Sequence, residues 1–221
     1  MREPLKKTIM ARFSKGILGS FRGTIGTVVG STWRGISYMR SKPGKRKGMS
    51  SKKQLDQQAR FALMAKCLQS MKEVIHKGFS LHAKHESPIN SALSYNLKNA
   101  VTGGKGDALI HYELLLISRG DLPNASTATA TASTAGKIHF SWLNNAGSGK
   151  AAATDQAMLV AYCASTHETA YTLTGGLRSA LQGELTLSSF TGKKVDTWIS
   201  FISANGKEIS MSSYTGQVLV A

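Results

Sequence analysis

The sequence predicts an α+β chain with an N-terminal glycine-rich β-ribbon or arm, a helical segment, and a C-terminal antiparallel β-sandwich of immunoglobulin or fibronectin III type. Three observations carry this. Across residues 13–47, β-branched and aromatic residues alternate roughly with small or polar ones, the pattern of a pleated surface. From Leu63 to Ile75, apolar residues recur at helical spacing. From about Ala108 onward, short alternating runs follow one another at regular intervals, separated by polar or glycine-bearing turns. The expected organisation is 1–48 ribbon, 49–106 helices and 107–221 sandwich.

The ribbon holds Ile17, Phe21, Ile25, Val28, Val29, Trp33, Ile36 and Tyr38, with glycines at 16, 19, 23, 26, 30 and 35. Glycine at that density weakens a free-standing strand and marks bends or close backbone approach. The segment is also strongly cationic. Residues 1–60 contain 15 Lys/Arg against 2 Asp/Glu, whereas residues 101–221 are balanced at 8 against 8. The chain's formal net charge of +16 therefore sits in its first 100 residues. Such asymmetry points to an acidic partner, a membrane surface or nucleic acid for the N-terminal part.

A helix is expected from about Ser50, with Ser51 and Gln54 as a capping box, and about 25 residues long. Its stripe is Leu63, Met64, Cys67, Leu68, Met71, Val74 and Ile75, and Gly78 is a plausible C-cap. Ser87-Pro88 opens a second, shorter helix to about Asn99. Gly103–Asp107 fits neither a phosphate loop nor a dinucleotide fingerprint and reads as a plain turn.

Expected strands are Leu109–Ser118, Ser126–Thr131, Lys137–Trp142, Gln156–Ser165, Glu168–Thr174, Gly183–Leu187, Lys194–Ser203 and Glu208–Gln217, with Asn205-Gly206 as a hairpin turn. Ile138, Phe140 and Trp142 alternate inward. On the next strand the inward set is either Leu159, Ala161 and Cys163 or Met158, Val160 and Tyr162. On the late strand it is Trp198, Ser200 and Ile202 or Thr197, Ile199 and Phe201. The pattern alone leaves both pairs open. The run ASTATATASTA over residues 125–135 suits a flat edge strand or a linker.

Several functional classes find no support. No apolar run approaches the roughly 20 residues of a membrane span, so no transmembrane segment is expected, and Met1–Met10 lacks the apolar stretch of a secretory signal. Cys67 and Cys163 form no clip or disulfide framework and read as buried thiols. His76, His82 and His85 lack the further ligands of a zinc site. No nucleophile or paired-carboxylate motif is visible, and His111, His139 and His167 read as packing or surface residues. No enzyme, cofactor or metal is expected.

The words GTIGTVVGSTWRGISYMRSKP, QLDQQARF (Gln54–Phe61) and FISANGKEISMSSYTGQVLV resemble an uncharacterised bacterial family, a domain of unknown function. Its members share a G-x-x-G-x-V-x-G-x-x-W-[RK]-G-x-x-Y-x-R-x-x-P start, a helical segment and a β-sandwich end. The resemblance covers nearly the whole chain and is most specific at Trp33-Arg34-Gly35 and Tyr38-x-Arg40-x-x-Pro43. It implies the fold and no catalytic residues. It also implies assembly into helical surface or extracellular fibres, and hence an extracellular or cell-surface location.

The resulting expectation is a structural subunit that polymerises head to tail as a helical homo-oligomer by strand addition. Its interface would comprise Ile17, Phe21, Ile25, Val29, Trp33, Arg34, Tyr38 and Arg40, with Ile17, Phe21, Ile25, Val29 and Trp33 as one apolar face. The alternative is a nucleic-acid-binding protein, or a virion or tail component. Candidate contacts to nucleic acid or another polyanion are Arg22, Lys42, Lys45, Arg46, Lys47, Lys52 and Lys53.

Overall fold

The structure is a computed structural model. It describes the backbone of residues 12–13 and, in full, residues 19–33, 35–44, 48–83, 86–133 and 136–221. Helices and mostly antiparallel strands combine in a mixed α+β chain of two compact units, 1–49 and 50–221.

The first unit is an antiparallel sheet, β1 (Arg12–Phe13), β2 (Phe21–Ile25), β3 (Val28–Trp33) and β4 (Ile36–Ser41), in sequential order. The ribbon thus pairs first with itself. Two-residue turns make this possible. Ile25 pairs with Val28 around Gly26-Thr27, where Gly26 has φ +56°, a conformation only glycine adopts cheaply. Trp33 pairs with Ile36 around a turn ending in Gly35, with φ +81°.

The second unit opens with α1 (Lys52–Ser70). The capping box forms: Gln54 N–H donates to Ser51 Oγ at 3.4 Å, and Ser51 N–H donates to Gln54 Oε1 at 3.1 Å. The expected single long helix is broken at Met71, and α2 (Lys72–Gly78) follows. The cause is local. Ser70 Oγ donates to the Cys67 carbonyl at 2.7 Å, and Met71 N–H turns instead to the Leu68 carbonyl at 3.2 Å. Of the stripe, Met64, Cys67, Leu68, Met71, Val74 and Ile75 are buried, and Leu63 is half-buried at its edge.

Gly78 does not cap. It is the last residue of α2, and a Cβ there would lie 2.2 Å from the Ile117 carbonyl oxygen, so glycine admits close packing rather than a left-handed turn. α3 (Pro88–Asn99) starts as expected, with Asn90 N–H donating to Ser87 Oγ at 3.3 Å and Pro88 in the first turn.

β5 (Val101–Thr102) and β6 (Leu109–Ile110) form a small hairpin. Its turn is tied to α1: Asp56 accepts from Lys105 N–H at 2.8 Å, and Arg60 donates to the Gly103 carbonyl. The expected strand to Ser118 stops at Ile110. A 3₁₀ turn over Tyr112–Leu114 follows. Buried Asn96 of α3 then clamps the next peptide, accepting from Leu116 N–H and donating to its carbonyl, both at 2.9 Å. A side chain from a helix supplies what a neighbouring strand would have offered.

The remaining strands are β7 (Ser126–Ala132), β8 (Lys137–Leu143), β9 (Gln156–Cys163), β10 (Glu168–Thr172), β11 (Gln182–Thr186), β12 (Lys194–Ile202) and β13 (Ser213–Leu219). They form two antiparallel sheets, β11-β8-β7 and β10-β9-β12-β13. The last strand begins later than expected, at Ser213, although Asn205-Gly206 makes the tight turn before it, with Gly206 N–H donating to the Ser203 carbonyl at 2.8 Å.

β9 and β12 are central and buried along nearly their whole length. Leu159, Ala161, Cys163, Ile199 and Phe201 join Ile138, Phe140 and Trp142 in one apolar cluster. Met158, Val160, Tyr162, Trp198 and Ile202 join the helices' Met64, Leu68, Met71 and Phe79 in another. Both registers left open by the sequence are therefore inward, because the sheet has a layer on each face. The Gly103–Asp107 turn, where the charge excess ends, lies inside this unit.

Candidate functional site

The first unit concentrates the exposed apolar side chains of the chain's N-terminal part. Ile25 is 47 % exposed, Trp33 58 %, Ile36 66 %, Tyr38 45 % and Met39 71 %. Every residue of β4 is exposed. A sheet ordinarily buries at least one face against a second layer.

Registry assigns the side chains to faces, since directly paired residues share one. One face carries Ile25 beside Val28 and Ser41, then Gly23 beside Gly30 and Met39. Phe21 lies on this face too, because its ring carbons occupy the space 2.6–2.7 Å from where a Gly30 Cβ would be. The opposite face carries Thr24, Val29 and Arg40 in one row, Ser31 and Tyr38 in the next, and Trp33 with Ile36 in the third. The single apolar face read from the sequence is thus divided. Phe21 and Ile25 stand on one side; Val29, Trp33, Tyr38 and Arg40 stand on the other.

Ile17 and Arg34 of the expected interface, and Lys45, Arg46 and Lys47 of the expected polyanion contacts, lie outside the described residues, as does His85. Arg22 is exposed, and its Cα pairs with that of Arg12. Lys42 is exposed, and its N–H extends the β3–β4 ladder to the Thr27 carbonyl at 2.7 Å. Lys52 and Lys53 belong to the second unit, exposed in the first turn of α1. No acidic residue accompanies them there, although the partial positive charge of a helix N-terminus favours carboxylates over cations.

The second unit holds a partly buried polar cluster, centred on buried Tyr162 and Asp196, that the sequence did not disclose. Tyr162 hydroxyl meets His167 Nδ1 at 3.0 Å, and Tyr214 donates to Asp196 Oδ1 at 2.8 Å. Tyr112 packs on Tyr162 and Trp198, with centroids at 5.7 and 6.3 Å. Burial pushes the Cys67 thiol up to about 12 and Tyr112 up to about 12, and it raises Asp196 above the usual carboxylate range. The Cys67 and Tyr112 shifts keep a thiol and a phenol protonated, the reverse of what activates a nucleophile. Both cysteines are free and buried. Among the described residues no group of three or more His, Cys, Asp or Glu is placed to hold a metal, and no helix is long and apolar enough to cross a membrane.

Taken together, these features define a mixed α+β protein whose N-terminal sheet exposes apolar and cationic side chains that its second unit, built round buried cores, keeps inside or disperses. The chain belongs to a family of unknown function (DUF6266), whose sequence model matches residues 20–216. No curated protein matches it.

Proposed function

We propose that the chain is a structural subunit that self-assembles head to tail into a helical fibre through its N-terminal sheet. The observation that carries this reading is the exposed aliphatic face of Ile25, Val28 and Met39 beside the open β4 edge among the described residues. In this reading the second unit is a sandwich of fibronectin III character. Three strands ordered β11-β8-β7 oppose four ordered β10-β9-β12-β13, the three-against-four arrangement of that architecture.

Magnitudes say how the contact is made. Covering the exposed parts of Ile25, Val28 and Met39 stabilises association by about 2–5 kcal/mol per copy. Lost translational and rotational freedom opposes it by about 4–15 kcal/mol. Apolar cover on this face is therefore marginal alone, and backbone hydrogen bonds are required as well. β4 offers them: it ends the sheet, with no strand on its outer side among the described residues. A neighbour bound there by a different surface repeats without closing and makes a thread.

The test is negative-stain microscopy and light scattering of the purified full chain over a range of concentrations. Regular threads are expected, and Met39→Asp, which places a charge on the Ile25/Val28/Met39 face, is expected to leave discrete particles. A wild-type protein that stays monomeric up to its solubility limit overturns the proposal.

A further inference from the structure

We infer that the sheet face bearing Trp33, Tyr38 and Arg40 is a stacking platform for single-stranded nucleic acid. Trp33 pairs directly with Ile36, and Tyr38 lies two residues further along β4 on the same face. This diagonal relation sets their Cα atoms about 7–8 Å apart. Stacked nucleotides in a duplex strand rise about 3.4 Å each. Bases seated on both rings must therefore leave their own stack, which an extended single strand allows and a duplex resists. Exposed aromatic rings on a sheet, with cations alongside, are the common physical solution for unpaired bases, because every base has a π-face.

Charge selects this occupant over a second copy of the same face. Residues 4–55 contain no Asp or Glu and 13 Lys or Arg. Arg40 lies in the row next to Tyr38, opposite Val29, and is exposed. Two such faces pressed together would gather cations with no carboxylate from residues 4–55 to answer them. A phosphate backbone neutralises them and releases counterions. The face also differs from a membrane-inserting surface. Trp33, Ile36 and Tyr38 adjoin one another on it, but Thr24, Ser31 and Arg40 share the face and make the rest of it polar and cationic. The inference is independent of the assembly reading, which uses the opposite face and the β4 edge.

The experiment is fluorescence anisotropy of a labelled oligo-dT of about 15 nucleotides, within the site size of small single-strand binders, added to the full chain at several salt concentrations. Binding is expected to be tighter than to duplex of the same length and to weaken steeply as salt rises. Trp33→Ala and Tyr38→Ala should each weaken it at least fivefold, the low end of one stacked base. Arg40→Gln should lower the salt slope by about one. Met39→Asp, on the other face, should bind like wild type even where it abolishes threads, which separates the two readings. Equal affinity for duplex, insensitivity to both aromatic substitutions, or capture by anionic phospholipid vesicles without oligonucleotide binding overturns the inference.

Discussion

Replacing Arg178 by methionine should be among the most damaging single changes in the second unit. Arg178 is wholly buried in a 3₁₀ turn. Its Nε donates to Asp155 Oδ2 at 3.0 Å, one terminal nitrogen to Asn145 Oδ1 at 2.6 Å, and the other to the Pro123 carbonyl at 3.0 Å. The guanidinium also sits 3.8 Å over the Phe201 ring. One side chain thereby ties together loops far apart in sequence. Methionine fills much of the volume but strands Asp155, a buried carboxylate then held, among the described residues, by Ala152 N–H at 2.9 Å. Removing one partner of such a pair costs about 3–5 kcal/mol. For a domain of this size that lowers Tm by roughly 6–20 °C, at about 2–4 °C per kcal/mol. Urea unfolding followed by tryptophan emission reads it directly, since Trp142 Nε1 donates to the Arg178 carbonyl at 2.9 Å. Adding Asp155→Asn should recover part of the loss, because the damage is a stranded charge as well as missing bonds. A single variant within 1 kcal/mol of wild type, or a double variant no better than the single, would refute this reasoning.

Two further outcomes are expected. Burial raises Asp196 although Tyr214 and Gln217 hydrogen-bond to it, so the folded state binds its proton more tightly than the unfolded chain does. Its favourable contribution is complete below the unfolded carboxylate pKa and is lost as pH rises through the higher folded value. The stability of Asp196→Asn relative to wild type, measured by denaturant melts, should therefore grow as pH rises from about 4; a flat difference refutes the assignment. In the first unit, Gly30→Ala places a methyl 2.3 Å from the Phe21 carbonyl oxygen. Amide exchange across Thr24–Val29 should accelerate, and unchanged protection would show that β2 yields without loss.

Much of the second unit was legible because its signals are local. Ser51 and Gln54 announced the start of α1, Ser87-Pro88 that of α3, and Asn205-Gly206 its turn. What stayed hidden depends on side-chain hydrogen bonds that hydrophobic periodicity does not register. The break at Met71 comes from Ser70 turning its hydroxyl back on Cys67, and Ser70 also meets Thr169 at 3.0 Å. The strand expected through Ser118 is forestalled by Asn96, twenty residues upstream. The choice of inward register on β9 and β12 could not be made from alternation, because with helices on one side and strands on the other no outward residue set exists.

The candidate site was misread for a sharper reason, one of parity. Phe21, Ile25, Val29 and Trp33 are spaced by four, and in an unbroken strand an even spacing means one face. A two-residue turn pairs Ile25 with Val28, residues an odd number apart, so residues at even separation across it fall on opposite sides. The second turn, pairing Trp33 with Ile36, reverses the parity again and returns Tyr38 and Arg40 to the side of Val29 and Trp33. Two glycine-bearing turns thus sort one apparent stripe into an aliphatic face holding Ile25, Val28 and Met39 and an aromatic, cationic face holding Trp33, Tyr38 and Arg40. Substitutions on the two faces should then be separable in function. A change at Met39 that also destroyed oligonucleotide binding, in a protein with intact strand exchange protection, would mean that the register does not govern which partner each side meets.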